Sequence, residues 1–351
     1  MSRLTVVVSQ APGKHPAKRS LEESVVAALL MEPGLEVSVV PNLYDLGPDH
    51  TGRLFLGAVR GDLVVLSWLY PRAAFWLLDR DGIQGHFGET KLKPPADDDA
   101  DDTPAEPAAE KPAAIGAAGT LPDRHIYTLD LRDANRPEPF VAEIRRIAAE
   151  CRDRRAAAAQ AKPANSPAIL QLGLAVSNPR ADAAEVPPAF AAFTPEALLA
   201  PANRRWYPVI DYSRCTNCLE CLDFCLFGVY GVDSLERIVT ENQDQCKKGC
   251  PACSRVCPQQ AIIFPEYKSA AIAGAETGAV GGLKIDLSRL FGGDAADAVG
   301  TAVAERDREL LNDGRSAVGA AVGLAKRQAD RPAAPKDDLD RLVDDLDALG
   351  L

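Results

Sequence analysis

Cys215-Thr-Asn-Cys218-Leu-Glu-Cys221-Leu-Asp-Phe-Cys225 is followed, about thirty residues on, by Cys246-Lys-Lys-Gly-Cys250-Pro-Ala-Cys253-Ser-Arg-Val-Cys257-Pro258. Eight of the nine cysteines of the chain fall in these two runs. The runs repeat at an offset of about thirty-two residues, so one unit is written twice. In each, three cysteines two or three residues apart can wrap a tight loop around one small inorganic cube, and a fourth lies where the chain turns away. Three other readings use the same residues. Two four-cysteine zinc sites are one, although such sites usually offer two separated pairs rather than a run of four. A disulfide framework is another, but those belong to small secreted domains. The third takes Cys246-x3-Cys250-x2-Cys253 alone as a three-ligand site with one iron left open, but Cys225 or Cys257 can close that iron.

The region from Arg205 to Tyr267 resembles the bacterial two-cluster ferredoxins, and the resemblance extends no further along the chain. In that family the fourth cysteine of each run ligates the other cluster. The resemblance therefore implies one [4Fe–4S] cluster on Cys215, Cys218, Cys221 and Cys257, and a second on Cys246, Cys250, Cys253 and Cys225. Two departures from the family pattern stand out. Leu226 occupies the usual proline position, which loosens the turn after Cys225. Three residues rather than two separate Cys246 from Cys250, which lengthens the second ligand loop. Unequal loops imply unequal potentials, since hydrogen bonds to sulfur and solvent exposure set them.

The flanks agree with a small α+β unit. Pro208–Tyr212, Arg237–Thr240 and Ala261–Phe264 are β-branched runs beside the cysteine loops and suit short antiparallel strands. So small a core relies mostly on its clusters. Phe224, Phe227, Tyr230, Val256, Pro258 and Ile262 are the candidate residues around them.

Residues 1–155 read as a separate α/β domain of the Rossmann or flavodoxin-like kind, a parallel sheet with helices on both faces. Leu4–Val8, Leu35–Val40, Asp62–Ser67 and His125–Leu131 are strand patterns, and helical patterns alternate with them. Ser20-x-x-Glu23 is a capping box that predicts a helix start, running through about Met31. Residues 49–60, Arg72–Leu78 and 138–155 predict further helices, the last with Phe140, Ile144, Ile147 and Cys151 on one face. Cys151 reads as a small buried hydrophobe. An acidic insertion at 89–121, with Asp97–Asp102 at its centre, interrupts the domain and reads as disordered.

Two loops lie beyond the carboxyl ends of these strands, where open sheets bind ligands. One carries Lys14, His15, Lys18 and Arg19 before a helix and suits an anion. The other, Ser67-Trp-Leu-Tyr-Pro-Arg72, could stack on a flat ring or receive a partner. No Walker loop, Gly-x-Gly-x-x-Gly strand turn or nucleophile elbow is present. The histidines, His15, His50, His86 and His125, are scattered and lack metal-ligand spacing.

Residues 156–203 are rich in Ala and Pro and read as a tether that does not fix the 204–267 module, with one apolar island at Ile169–Leu174. Residues 268–351 read as a low-complexity tail, with a short amphipathic piece at Lys284–Phe291, a helical pattern at 301–312 and a C-terminal amphipathic helix at 337–350 suited to docking. The net charge of −11 is concentrated in the insertion and tail, where acid solvates the chain. No basic patch with interleaved aromatics points to nucleic acid, and no apolar run reaches the ~20 residues of a membrane span. The N-terminus enters a strand at once, so a cytoplasmic location is expected. The expected function is electron transfer to and from redox partner proteins, without a catalytic residue. The alternatives are an oxidoreductase subunit whose α/β domain binds flavin or nucleotide, and a scaffold stapled by clusters or zinc.

Overall fold

The computed structural model describes residues 3–13, 15–92, 114–116, 121–161, 193–275 and 295–324. Lys14, the run Asp97–Asp102, the island Ile169–Leu174, Lys284–Phe291 and the helix expected at 337–350 lie outside the described residues.

Strands β1 (Leu4–Ser9), β2 (Leu35–Val40), β3 (Leu63–Ser67), β4 (His86–Gly88) and β5 (His125–Asp130) form one sheet in the order β2-β1-β3-β5-β4. Every pairing in it is parallel. β1 and β3 are buried at every position, as a strand covered on both faces must be. Alternate side chains sort between the faces. Val6, Val8, Val64 and Leu66 pack with α1 (Pro16–Leu30) and α4 (Glu138–Ala161). Val7, Val65 and Ile126 pack with α2 (Thr51–Ala58) and α3 (Pro71–Arg80). The expected parallel sheet with helices on both faces is therefore present.

Two local details differ from the sequence reading. Helix α1 starts a turn before Ser20, with a proline in its first positions and no side-chain cap. Proline presets the helical φ and lacks only an N–H that would be unpaired there, so it outcompetes the capping box. The edge strand β4 was not expected; its Gly88 lies so close to the Tyr127 ring that a Cβ would fall 2.3 Å from a ring carbon.

At the amino ends of the strands, Asp62 accepts the His125 N–H at 2.9 Å and bonds from Arg154 and Arg155 at 2.7 and 2.9 Å. Burial alone would raise its pKa, but these donors outweigh it and hold the carboxyl below its usual range. A depressed folded pKa contributes stability above the unfolded value of ~3.9, and that stability is lost as pH falls through the folded value. Asp62→Asn should therefore cost about 1–3 kcal/mol near neutrality, the penalty of under-satisfied buried donors. It should also flatten the acid limb of a stability–pH curve measured by urea unfolding. An unchanged acid limb would count against the assignment.

The cysteine-bearing part is built of two short antiparallel pairs. β6 (Val209–Ile210) pairs with β9 (Ile262–Ile263), and β7 (Tyr230–Val232) with β8 (Ile238–Thr240). Helices α6 (Glu220–Phe224) and α7 (Ala252–Val256) carry the third cysteine of each run.

This part is not loosely tethered. Leu198, from the short helix α5 (Pro195–Leu198), and Tyr207, Val209 and Ile263 enter the same core as α2 and α3. The Tyr207 N–H donates to the Tyr44 hydroxyl at 2.7 Å, and the Tyr207 hydroxyl donates to the Tyr44 carbonyl at 2.8 Å. Arg72, buried, reaches from α3 to the fully enclosed Asp211 at 2.8 Å. Apolar burial and paired polar groups together make the contact a core rather than a passing touch.

The packed chain also continues past Tyr267. Helix α8 (Ala270–Ala273) ends at Gly274, whose φ of +102° and 2.8 Å approach to the Ala73 side chain leave no room for a Cβ. Helix α9 (Ala295–Asn312) places Ala302 in one cluster with Phe224, Val256 and Leu324. Part of the region read as low-complexity tail is thus folded against the cysteine loops.

Candidate metal centre

The first cysteine loop owes its curl to two residues in the left-handed region, Asn217 at φ 57° and Leu219 at φ 63°. Asparagine tolerates this conformation better than most residues. Its side chain then ties the loop to the β7–β8 hairpin, accepting the Ile238 N–H at 2.9 Å and donating to the Glu236 carbonyl at 2.8 Å. The second loop absorbs its extra residue at Gly249, φ +85°, a conformation glycine adopts without strain.

The eight cysteines sort into two fours. Cys215, Cys218, Cys221 and Cys257 line one cavity. Cys225, Cys246, Cys250 and Cys253 line the other. Each four therefore takes three sulfurs from one run and one from the opposite run. Among the described residues, no three His, Cys, Asp or Glu side chains converge on a point that one metal ion could occupy. None of the nine cysteines is paired in a disulfide.

Burial pushes up the thiols of Cys215, Cys221, Cys225, Cys246, Cys250, Cys253 and Cys257, that of Cys250 to about 11, and at most of them neighbouring sulfurs of the same set push further. Sulfurs so placed need a cation before they can be thiolates. Local donors already face them. The Ala261 N–H donates to Cys257 at 3.3 Å, and the backbone of Phe227, Gly228 and Val229 faces Cys225. The Tyr230 hydroxyl, from a buried ring, donates to Cys253 at 3.1 Å. The donor set and the sulfur-directed N–H groups fit a polynuclear iron–sulfur group.

The other sequence candidates divide. Ile262 lines the first cavity; Phe224, Phe227 and Tyr230 line the second. Val256 packs toward α9, and Pro258 is exposed. Leu226 does not leave a loose turn, because Arg315 donates to its carbonyl at 2.9 Å. Cys151 is buried in the core beneath α4. His86 and His125 come together across β4 and β5, with ring centroids 5.5 Å apart.

At the carboxyl ends of the sheet the loops hold their own charges. Lys18 sits over the Trp68 ring and Arg19 pairs with Glu22. Glu22, buried, accepts from both the Ala11 N–H and the Trp68 indole. A carboxylate there opposes a phosphate. Arg72, the last residue of the aromatic loop, is taken by Asp211 of the cysteine module.

Sequence reasoning missed Arg306 and Lys247, which line the second cavity, and the segment Ala114–Gly116. In that segment the Ile115 N–H donates to the Cys215 carbonyl at 2.9 Å and the Gly116 N–H to the Tyr212 carbonyl at 3.0 Å. No local signal marks any of these, since each depends on contacts between distant parts of the chain.

No family model matches the chain, and no solved structure matches it. It is similar to an uncharacterized ferredoxin of Methanocaldococcus jannaschii, 45% identical over 66 residues. Those residues are 18% of this chain and 43% of that protein, so the similarity spans less than half of the relative. Among the described residues, no helix is long and apolar enough to cross a membrane. The match and the cysteine geometry agree on a ferredoxin-like region within a longer chain.

Proposed function

We propose that this chain is an iron–sulfur electron-transfer protein holding two [4Fe–4S] clusters, one on Cys215, Cys218, Cys221 and Cys257, the other on Cys225, Cys246, Cys250 and Cys253. The observation that carries this reading is the exchange of fourth cysteines between the two runs, which gives each cavity four sulfurs. The clusters would supply reversible uptake and release of single electrons. The chain's own residues hold the sulfurs, exclude water from Cys221 and Cys253, and aim N–H and O–H donors at the sulfurs. The α/β domain serves as a rigid platform, and the electron donor and acceptor are redox proteins.

Anaerobic purification with iron, sulfide, zinc and flavin assayed on one sample tests the reading. About eight irons and eight sulfides per chain are expected. Zinc without sulfide would overturn it, and stoichiometric flavin would make the α/β domain a catalytic partner.

Tyr230→Phe gives a finer test. The phenol donates to Cys253, and a reduced cluster, carrying one more negative charge, accepts that bond more strongly. Removing about 1 kcal/mol of this preference should lower one midpoint potential by ~40 mV, at 59 mV per tenfold for one electron. An EPR-monitored redox titration reads the shift; unchanged potentials would show that the hydroxyl only packs.

A further inference from the structure

We propose that Arg306, from helix α9, holds the second cluster at a higher reduction potential than the first. The proposal rests on the two-cluster reading above and concerns a residue outside the cysteine module.

Among the described residues Arg306 is the largest fully buried side chain, 1% exposed. Its guanidinium lies over the Phe224 ring, 4.5 Å from the centroid, and lines the cavity of Cys225, Cys246, Cys250 and Cys253. It is locked by bonds to the carbonyls of Val322 and Gly319 at 2.9 and 2.7 Å and to Asp307 at 3.1 Å. Gly323 lets this strand of chain pass backbone-to-backbone against α6: a Cβ there would lie 2.8 Å from the Asp223 carbonyl. So a loop and a helix of low sequence complexity are folded tightly around one arginine. Burying a charge at such a site costs several kcal/mol unless something pairs with it. Asp307 is a partial partner on the outer side. On the inner side stands the set of four sulfurs.

The other charges near the two sets are weaker or already paired. Around the second set, Lys247 pairs with Asp313 near the surface, and Glu305 pairs with Arg255; Glu309 acts on Cys250 from further out. Around the first set, Glu220 lines the cavity, and Arg237 acts on Cys215 while bonded to the Gly116 carbonyl. The fully enclosed cation therefore stands only at the second set among these groups. Reduction adds one negative charge to a cluster, and a fixed buried cation favours that state. The cation thus separates the two potentials and makes the second cluster the preferred resting place of the first electron.

The test compares Arg306→Gln, Arg306→Lys and Asp307→Asn in the full chain, with iron and sulfide assayed on every sample and both midpoints read by EPR-monitored titration. Signals are assigned with Cys218→Ser, which perturbs the first set. Arg306→Gln should lower the second midpoint and leave the first in place, Arg306→Lys should retain most of the wild-type value, and Asp307→Asn should raise it. If Arg306 only clamps the tail, Arg306→Lys will shift the second midpoint as far as Arg306→Gln does, which overturns the proposal. An Arg306→Gln protein with full iron and an unchanged midpoint also overturns it. Should Arg306→Gln lose iron, the second midpoint of Arg306→Lys decides: a value near wild type supports the proposal and a lowered one overturns it. Zinc or no sulfide in the wild-type protein would instead overturn the two-cluster reading, an outcome visible before any variant is made.

Discussion

Arg72→Met should destabilise the junction between the α/β domain and the cysteine module by about 3–5 kcal/mol, the cost of stranding one member of a buried ion pair. Asp211 is fully enclosed and meets the Arg72 guanidinium at 2.8 Å. The same guanidinium donates to the carbonyls of Gly274 at 3.2 Å and Gln260 at 3.3 Å. Methionine fills much of the volume and none of these bonds. Asp211 would keep the Ser213 N–H at 2.9 Å, the Ser213 hydroxyl at 2.5 Å and a looser approach of Arg214 at 3.6 Å, but it would lose the one cation within hydrogen-bond distance of a charge so deeply buried. Urea unfolding should be followed by tryptophan fluorescence and by visible absorbance of the holoprotein. The two probes should coincide in the wild type and separate in the variant, because the junction joins the parts into one cooperative unit. Arg72→Met combined with Asp211→Leu should recover a large share of the loss, since an apolar pair of similar volume replaces a buried ion pair at little cost. A single-variant cost below about 1 kcal/mol would mean that the junction is held by its apolar contacts alone.

That pair also marks the limit of what the sequence discloses. The two cysteine runs and the sheet were legible because their determinants are local. Cysteine spacing is written within a few residues, and buried parallel strands such as Leu4–Val8 and Asp62–Ser67 are written as apolar runs. The start of α1 was misread because two local signals competed, the box at Ser20 and the proline at 16. Arg72 and Asp211 are 139 residues apart. Neither carries a mark that distinguishes a buried partner from a solvated charge. Arg306 was hidden more completely, since Ala and Gly around it gave the look of a tail. The same small residues let α9 and the chain after it approach α6 and α7 closely. Low complexity in that stretch is a packing device, and composition alone does not separate the two.

Cys253→Ser should remove the second cluster and with it about half of the iron, four of about eight atoms per chain, on the proposed ligand set. Cys253 is enclosed, the Tyr230 hydroxyl points at its sulfur, and it stands with Cys225, Cys246 and Cys250. A serine oxygen is shorter and holds iron less well than a thiolate, and no other cysteine is at hand to replace it, because Cys151 lies in the core beneath α4. The loss should spread beyond the cluster. The module's own core rests on a few side chains such as Ile210, Val229, Ile238, Ile262 and Phe264, and metal-binding free energy becomes folding free energy in so small a unit. The module should therefore drop out of the common transition in Cys253→Ser, leaving the α/β domain to unfold in a transition of its own. Cys151→Ser is the matched control. Its hydroxyl would find the Tyr127 hydroxyl, now 3.9 Å from the sulfur, and the Arg154 guanidinium, now at 3.6 Å. The cost should stay near 1 kcal/mol, with all iron retained. If Cys253→Ser kept its full iron and sulfide, or Cys151→Ser lost them, the partition of the cysteines into two fours would not be the ligand set, and the electron-transfer reading would lose the observation it stands on.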